Sequence, residues 1–283
     1  MLKNNKVLAI PKVSIIIPVY NQLEYTKMCL ESIWHYTSEN YEVIVVNNGS
    51  QDATKEYLKQ NPQIYSIHNG KNLGFAKAIN QGISAAGGNH IIILNNDCIV
   101  SHEWVQRLLR AAEEPKVGIV GVMSNFAASP QLIKVNVKNI QDIPRIAQQV
   151  KNKYNNSICY TTRVVGLCML IKRELIEKIG GFDPRFGLGT FEDDDFSLRS
   201  ILCGYKNVIA KDVFIFHFGS VTFKKEKIPR NLLLRENWQM FKEKWGLPVE
   251  LPLGEKDYLT KIAAKDFDKK ELYIPYKVSG KEG

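Results

Sequence analysis

Long apolar runs are missing from this sequence. Nowhere in the 283 residues is there a stretch of about 18 consecutive apolar residues, the length that marks a candidate membrane-spanning helix. The first residues, Met1 to Lys6, lead straight into a strand pattern and lack the apolar core of a secretion signal. We therefore expect a cytoplasmic protein that does not span a membrane, with peripheral contact at its inner face left open.

Paired cysteines are also missing. The five cysteines are scattered and form no C-x-x-C pair, which argues against a disulfide framework and against a structural zinc site. Basic-region, zinc-finger and RNA-recognition signatures are absent, and so are internal repeats. The formal charge of +9 favours acidic partners. Among these we expect anionic lipid or a phosphorylated small molecule rather than nucleic acid.

A buried strand that stops at polar residues stands at the centre of the pattern. The run from His90 to Leu94 is almost entirely Ile and Leu, and Asn95, Asn96 and Asp97 follow it at once. Such runs suit strands covered on both faces of a parallel sheet, and these sheets bind ligands beyond the carboxyl ends of their strands. A carboxylate at a strand end also fits a turn or a helix N-cap. Residues 90–97 alone do not decide between this structural role and a ligand-binding role for Asp97.

Strands and helices alternate in the segments before Asp97. Apolar, β-branched runs predict the strands, and apolar residues at helical spacing predict the helices between them. This alternation predicts a parallel sheet with right-handed crossovers. The predicted strands cover 13–18, 41–46, 64–67 and 90–94, and the predicted helices cover 22–36, 52–60 (capped by Asp52) and 75–86.

The order becomes less regular after Asp97. A polar excursion from 124 to 156 is the type of segment that often carries lids or acceptor loops. Beyond Lys224 the chain is rich in lysine, and Pro248 and Pro252 indicate a weakly structured tail with helical pieces such as 235–245. The other predicted elements are helices at 102–113, 173–179 and 196–203 and strands at 117–122, 164–171 and 213–218.

Polar loops follow the predicted strands. In a parallel sheet the first three of these loops meet at one edge, with Asp97 among them. Acceptor side chains around a carboxylate suit a nucleotide diphosphate held through Mg²⁺ or Mn²⁺, since the metal takes one or two carboxylates and completes its shell with phosphate oxygens. The metal would also neutralise charge on a diphosphate leaving group. The four loops are 18–21, 47–52, 95–97 and 192–195.

An ordered set of segments between Val13 and about Ser220 resembles the family 2 inverting glycosyltransferases. The order of the set is more specific than any single segment. Residues 18–21 resemble the family's opening motif, 46–52 its nucleotide-base loop, 72–82 its phosphate-side helix, 94–97 its D-x-D element, and 180–183 with 191–199 its acceptor-side E-D-x-D motif.

This resemblance implies an α/β fold of the GT-A type: a Rossmann-like, mostly parallel sheet flanked by helices, in a single catalytic domain with a helical C-terminal extension. The implied catalytic domain is 1–222, with a nucleotide-sugar-binding half at 13–122 and an acceptor half at 123–222, and the basic extension is 223–283. The residues implied to bind the nucleotide sugar are Pro18, Tyr20, Asn21, Asn47, Asn48, Ser50, Asn72, Gly74, Phe75, Lys77, Asn80, Asn95, Asn96 and Gly166.

Two positions depart from the family pattern. Asn47 stands where the base loop usually has Asp, so an amide contact would replace the usual carboxylate contact to a uracil or thymine N–H. Asn95 stands where many members have Asp in the metal motif, which leaves Asp97 as the motif's only carboxylate. The first departure leaves the base open, although UDP- and dTDP-sugars are favoured, and the second predicts a lower metal affinity.

The acidic run from Glu192 to Asp195 has two interpretations. As part of the resembled motif, Asp193 would be the general base that takes the proton from the acceptor hydroxyl during inversion, and Glu192 would orient the acceptor. Acids in the first turn of a helix also complement its dipole, an interpretation that suits Asp194 and Asp195. The upstream glycines of Gly187-Leu188-Gly189 and the ordered match favour the catalytic interpretation for Asp193.

His217 lies in a phenylalanine-rich strand. Alternation places it on the face opposite Phe214, Phe216 and Phe218. A core histidine bonded to the backbone is one interpretation, and a metal ligand alongside Asp97 is the other, since imidazole suits Mn²⁺ and the resembled family has a histidine here. The basic residues just beyond form either a solvated face or a lid over the diphosphate, or a surface for an anionic acceptor or membrane: Lys224, Lys225, Lys227, Arg230 and Arg235.

The combined prediction is a metal-dependent enzyme that moves a sugar from a nucleotide diphosphate sugar to a hydroxyl on a glycan, a lipid-linked sugar or a protein. A Q-x-x-R-W element is absent, which argues against a processive synthase. A sugar nucleotidyltransferase would carry a glycine-rich loop with a basic residue after the first strand, and 18–21 lacks it. A binding protein with a degenerate site would explain Asn47 and Asn95, but Asp97, Asp193 and His217 are all retained.

Overall fold

A mixed α/β architecture is seen in the computed structural model, which describes residues 12–219, 221–227, 229–255, 258–263, 265 and 267–277. The strands are β1 Val13–Val19, β2 Tyr41–Asn47, β3 Ile64–His68, β4 His90–Leu94, β5 Cys98–Ile99, β6 Val117–Ser124, β7 Ile158–Thr161, β8 Cys168–Lys172 and β9 Lys206–His217. The helices are α1 Leu23–Tyr36, α2 Thr54–Lys59, α3 Phe75–Ala85, α4 Trp104–Ala112, α5 Ile143–Tyr154, α6 Arg173–Ile179, α7 Glu192–Leu202, α8 Val221–Lys225, α9 Arg230–Trp245 and α10 Tyr258–Ala263. Short 3-10 turns lie at Ile140–Asp142, Pro184–Phe186 and Lys269–Leu272.

One sheet runs through the molecule in the order β3-β2-β1-β4-β8-β6-β9-β5, with β7 paired to β9. The first four strands are mutually parallel, as the sequence pattern predicts. β8 is antiparallel to both β4 and β6, whereas β6 and β9 run parallel to each other. The prediction of a mostly parallel sheet is therefore confirmed, and the carboxyl ends of β1, β2 and β4 lie at one edge.

The sheet is covered on both faces by apolar side chains. On one face Ile15, Val45 and Ile92 pack with residues of α1 and α4, and on the other Ile16, Ile44 and Ile93 pack with residues of α3 and α6. Adjacent strand residues point to opposite faces, so a run of consecutive Ile and Val fills both layers. This two-sided burial explains why the central strands read as continuous apolar runs.

Three predicted boundaries in the second half of the chain are wrong. The strand predicted at 164–171 begins only at Cys168, because Val164 and Val165 donate their amides to side chains of other elements. The helix predicted at 196–203 begins at Glu192, so the acidic run forms its first turn. The strand predicted at 213–218 is the end of the longer β9, which begins at Lys206.

The prediction of a weakly structured tail is also wrong for the described part of the C-terminal segment. α9 and α10 bury aromatic side chains against the turn before α7 and against α7 itself, where Trp238, Phe241 and Tyr258 pack with Phe186 and Leu198. Ile274 forms a bridge to Gly180. Pro248 and Pro252 lie between α9 and α10, and they do not prevent the burial of these helices. Among the described residues, no helix has the length and apolarity needed to cross a bilayer.

Candidate active site

A cleft of about 310 Å³ opens at the carboxyl ends of β1 and β4 and is closed on the other side by the first turn of α7. It is the place that an open α/β sheet offers to a ligand. The predicted site residues that line it are Pro18, Tyr20, Asn48, Asn72, Phe75, Asn95, Asn96, Asp97, Gly166, Glu192, Asp193 and His217. The donor-side, metal and acceptor-side motifs of the sequence are thus brought into one cavity.

Asp97 and His217 meet at the floor of this cleft. The Oδ1 atom of Asp97 lies 3.0 Å from Nε2 of His217, and both side chains are largely buried. The backbone holds the two elements together, because the Phe218 amide donates to the Asp97 carbonyl and Cys98 pairs with His217 in the β5–β9 ladder. Both interpretations of His217 have a matching contact. One ring nitrogen bonds to a backbone carbonyl, as in a core histidine, and the other faces Asp97, as a metal ligand beside that residue would.

The donor set around Asp97 fits a divalent metal. The Nδ1 atom of His217 is 2.9 Å from the Phe126 carbonyl, the usual second contact that orients a metal-binding imidazole. A separation of about 3.0 Å is also that of two adjacent ligands in an octahedral shell with metal–ligand distances of about 2.1 Å. The Cys98 thiol also lies within 4.8 Å of these ligand atoms, but Mg²⁺ and Mn²⁺ prefer oxygen and imidazole ligands to a thiolate.

Asp193 is held in the cleft by backbone amides. Its Oδ2 accepts from the Gly166 amide at 2.9 Å, and its Oδ1 accepts from the Asp194 amide at 3.0 Å. Only 7% of the residue is exposed. These two bonds fix the direction of the carboxylate, and each carboxylate oxygen has a second lone pair with which to accept a proton. Gly166 therefore contacts the predicted base, as well as lining the cavity.

Glu192 is a buried carboxyl without a complete set of partners. It lines the cleft, is 6% exposed, and its Oε2 atom has no hydrogen-bond partner among the described residues. Burial, and then the charge of Asp193, raise the pKa of Glu192 well above its usual value. A protonated carboxyl donates one hydrogen bond, so Glu192 is equipped to bind an oxygen atom of a ligand in the cleft.

Asp194 and Asp195 serve the interior rather than the cleft chemistry. Asp195 is fully buried and accepts from Arg199 Nε at 2.8 Å and from Trp245 Nε1 at 3.1 Å. Asp194 accepts from the Tyr258 hydroxyl at 3.0 Å and lies 2.9 Å from Arg163 Nε. Specific ion pairs and hydrogen bonds to distant segments, beyond the helix dipole, account for these two acids.

The predicted nucleotide-base loop, residues 46–52, is held by hydrogen bonds of its own asparagine side chains. The Oδ1 atom of Asn47 accepts from the Ser50 amide, and its Nδ2 is 3.3 Å from His68 Nδ1. Asn48 donates to Asn72 and Gly74 and accepts from Asn69 and Leu73, which ties this loop to the start of α3. Asn47 and Ser50 do not line the cleft, and a contact of theirs with a nucleotide base stays a prediction.

Four further predicted donor-binding residues lie around the cleft without lining it. Asn80 exchanges hydrogen bonds with the backbone of Phe182, and Lys77 is exposed on α3. Asn21 accepts from the Gln51 amide. Gly74 has φ +90° and approaches Gly187 so closely that a Cβ atom would lie 2.3 Å from its carbonyl oxygen. Asn80, Asn21 and Gly74 thus have structural roles, and direct donor contact by any of the four residues stays a prediction.

Several cleft residues were not predicted from the sequence. Arg163 lines the cavity beside the acids, and Val221 and Leu234 line it from the C-terminal side, together with Arg230, which the sequence analysis named as part of a possible lid. Asn237 lies outside it but donates to the carbonyls of Phe186, Gly189 and Thr190, which supports the loop before α7. No spacing signal marks these residues, because each reaches the site through tertiary packing. The Lys224 side chain lies outside the described residues.

Comparison with known proteins agrees with this geometry. The profile of Glycosyl transferase family 2 matches residues 14–180. A glycosyltransferase of Bacillus subtilis (strain 168), EpsJ, is 33% identical over 206 residues, which are 68% of this chain and 56% of EpsJ. The chain thus spans little more than half the length of that relative. The acidic motif at 192–195 lies beyond the matched profile.

Two solved structures share the fold. The mannosyltransferase PcManGT from Pyrobaculum calidifontis, in complex with GDP-Man and Mn²⁺, superposes with a TM-score of 0.61 at 21% identity, covering 89% of this chain and 69% of that one. GalNAc-T7 with UDP, GalNAc and Mn²⁺ gives a TM-score of 0.60 at 16% identity, covering 95% and 56%. The predicted GT-A fold is therefore confirmed, and the chain belongs to glycosyl transferase family 2.

Proposed function

We propose that the protein transfers a sugar from a nucleotide diphosphate sugar to a hydroxyl acceptor with inversion at the anomeric carbon. The observation that carries this proposal is the presence of Asp193, held by Gly166, in the same cleft as the Asp97–His217 pair. One cavity thus offers a proton acceptor on one side and a metal-binding pair on the other.

The chemistry assigned to the chain is a single displacement. The acceptor oxygen attacks the anomeric carbon, the bond from that carbon to the diphosphate oxygen breaks, and the acceptor's proton passes to the Asp193 carboxylate. Burial raises the pKa of Glu192 and so favours its protonated carboxyl, which in that form donates a hydrogen bond that orients the acceptor. Asp97 and His217 would hold Mn²⁺ or Mg²⁺, which when bound neutralises charge on the diphosphate.

The donor class rests on the fold and on the lining of the cleft. PcManGT holds GDP-Man with Mn²⁺ and GalNAc-T7 holds UDP with Mn²⁺, which supports a nucleotide-linked donor and a divalent metal in this chain too. We favour a UDP- or dTDP-sugar, a hexosyl or deoxyhexosyl group, and non-processive transfer to a glycan, lipid-linked sugar or protein hydroxyl. The nucleotide would contact Pro18, Tyr20 and the amide side chains of Asn48, Asn72, Asn95 and Asn96.

The proposed division of labour follows the sheet. Residues 13–122 supply the donor side and 123–222 the acceptor side, with 223–283 as a basic extension whose described helices pack on the acceptor side. We place the enzyme in the cytoplasm. Four exposed basic residues, of which Arg230 lines the cleft, would suit contact with an anionic membrane surface: Lys225, Lys227, Arg230 and Arg235.

The test is a thermal-shift panel of UDP-, dTDP- and GDP-sugars, each with Mn²⁺ and with chelator. A ligand that binds only the folded chain raises its melting temperature by mass action. We expect at least one donor to raise it only with Mn²⁺, and Asp97→Ala to abolish that shift without unfolding the protein. Equal shifts for wild type and Asp97→Ala, with and without chelator, contradict the metal assignment. Metal-dependent binding with no transfer to any acceptor or to water indicates a degenerate site instead.

A further inference from the structure

The loop that follows β7 is fastened to α7 at two of its amides. The Val164 amide donates to Ser197 Oγ at 3.1 Å, and the Gly166 amide donates to Asp193 Oδ2 at 2.9 Å. One residue further, the Leu167 carbonyl accepts from the Asn95 amide at 2.9 Å. The loop therefore runs from the acidic turn of α7 to the end of β4, and it links the predicted base with the predicted metal motif.

Arg163 stands at the opposite end of this loop from Leu167, the residue that contacts Asn95. Its own backbone is fixed by Thr161, whose hydroxyl accepts from the Arg163 amide and donates to the Arg163 carbonyl. The Nε atom is buried and lies 2.9 Å from Asp194 Oδ1 in an ion pair without hydrogen-bond geometry, and the side chain, which is 36% exposed, lines the cleft. The guanidinium is thus held beside Asp194 by the attraction of opposite charges, in a side chain that lines the same cavity as Glu192 and Asp193.

Asp194 is the anchor of that guanidinium, and it is itself held by the C-terminal segment. The Tyr258 hydroxyl donates to Asp194 Oδ1 at 3.0 Å. Tyr258 is 6% exposed and packs edge to face against Trp238 and Phe241 of α9, with ring centroids 5.0 and 5.4 Å apart. A buried ring in that position has little rotational freedom, so the hydroxyl fixes Asp194, and Asp194 fixes Arg163.

We propose that Arg163 binds the acceptor and that Asp194 and Tyr258 are positioning residues that hold its guanidinium beside Asp193. This inference rests on the proposed glycosyl transfer and assigns an acceptor-side role to a residue of α10, beyond the matched family profile. The donor-side residues Tyr20, Asn48 and Asn96 belong to other loops and do not contact this relay through any described hydrogen bond.

The charges around Arg163 indicate which acceptor it suits. Its positive charge is already balanced by Asp194, and Asp193 and Glu192 are further acids on the same side. An anionic acceptor would meet the Asp193 carboxylate and a guanidinium that is already paired with Asp194, whereas neutral sugar hydroxyls would meet N–H donors from Arg163 and acceptor oxygens of the acids. We therefore assign a neutral glycan acceptor to this subsite.

The relay is tested without any substrate by a double-mutant cycle in urea unfolding. Tyr258→Phe and Arg163→Ala are expected to shift the unfolding midpoint non-additively, because they share the Asp194 carboxylate. Tyr276→Phe is the matched control, a buried tyrosine of the same segment whose described contacts lie outside the acidic turn, and it is expected to add to Arg163→Ala. Additive shifts for Tyr258→Phe overturn the relay. If Arg163→Ala does not fold, Arg163→Lys replaces it.

The acceptor role is tested by kinetics with the donor chosen from the nucleotide-sugar panel. Neutral p-nitrophenyl hexosides and the anionic p-nitrophenyl glucuronide serve as acceptor probes. Hydrolysis of the donor, in which water is the acceptor, is measured as well. Loss of a hydrogen bond to a charged group weakens binding by about 10- to 100-fold. We expect Arg163→Ala to raise the KM for neutral hexosides by about 10- to 100-fold, Tyr258→Phe to raise it less, and neither to change donor KM.

The two failures are distinguishable. A wild-type enzyme that transfers to no probe and not to water contradicts the proposed function, and the unfolding cycle still decides whether the relay exists. An equal loss for donor and acceptor in Arg163→Ala contradicts an acceptor-side role, and a preference for the glucuronide contradicts the neutral subsite. A KM for neutral hexosides that stays unchanged in Arg163→Ala overturns the inference outright.

Discussion

Replacing Asp195 by asparagine removes the only carboxylate that faces the fully buried Arg199 in the described structure. The Arg199 Nε atom donates to Asp195 at 2.8 Å, and its other nitrogens donate to the carbonyls of Ile179 and Gly181. Both side chains of the ion pair have no exposed surface. The substitution keeps the shape of residue 195. It replaces the charged carboxylate that accepts from Arg199 with a neutral amide.

The loss of stability in Asp195→Asn depends on which partners of Asp195 keep another carboxylate and which do not. Lys244 also contacts Asp195 but keeps its 2.8 Å contact with Asp183, and Trp245 can still donate to the asparagine carbonyl. Arg199 alone loses its counter-charge in a dry environment. Breaking a buried pair in this way costs about 3 to 5 kcal/mol, because it leaves an uncompensated buried charge.

The assay is urea unfolding of Asp195→Asn, followed by the change in the free energy of unfolding. Glu24→Gln is the matched control, since it removes an exposed carboxylate from the Glu24–Lys27 pair. Exposed pairs of this type contribute about 0.2 to 1 kcal/mol. A loss below about 1 kcal/mol for Asp195→Asn, similar to that of the control, would refute the conclusion that this acid of the motif is structural.

Two further predictions concern backbone geometry and pH. Gly74→Ala is expected to cost about 2 to 5 kcal/mol, because its φ of +90° is strained for alanine and the new Cβ would lie 2.3 Å from the Gly187 carbonyl oxygen; Gly70→Ala, with open space around it, is the control in the same thermal melts. Burial raises the pKa of Asp194 to about 7 and that of Glu192 well above its usual value, so the folded state binds protons that the unfolded chain has released above pH 4 to 5. The free energy of unfolding is therefore expected to fall as the pH rises toward 7, and less so in Asp194→Asn, whereas parallel pH curves for the two proteins would contradict this pKa direction.

The parts of the fold that the sequence predicts are those determined by local pattern. The runs at Val13, Tyr41 and His90 are buried on both faces of the sheet. Apolar continuity and helical spacing therefore suffice to locate the first four strands and to predict that they are parallel. Asp97 follows β4 directly, and its place at the sheet edge is a consequence of that order. The long-range pairing of β8 between β4 and β6 is different, because no local spacing reports which strand an antiparallel segment joins.

The site was predictable where motif order applies and not where packing decides. Asp193 and His217 come from motifs, and both lie in the cleft. Asn47 and Asn80 carry the same side chain as the cleft-lining Asn96, yet they bond to neighbouring loops, and sequence does not show which way an amide faces. Tyr258 reaches the acidic turn from 64 residues further along the chain, through aromatic packing that has no sequence spacing of its own.

The central claim, that Asp193 is the general base, is tested most directly by Asp193→Asn. The substitution keeps the side-chain shape, and its carbonyl can still accept the Gly166 amide, but it removes the proton acceptor. We expect turnover with saturating donor to fall by about 10² to 10⁴-fold, with donor affinity and melting temperature close to wild type. A folded Asp193→Asn enzyme that transfers sugar at the wild-type rate would contradict the mechanism.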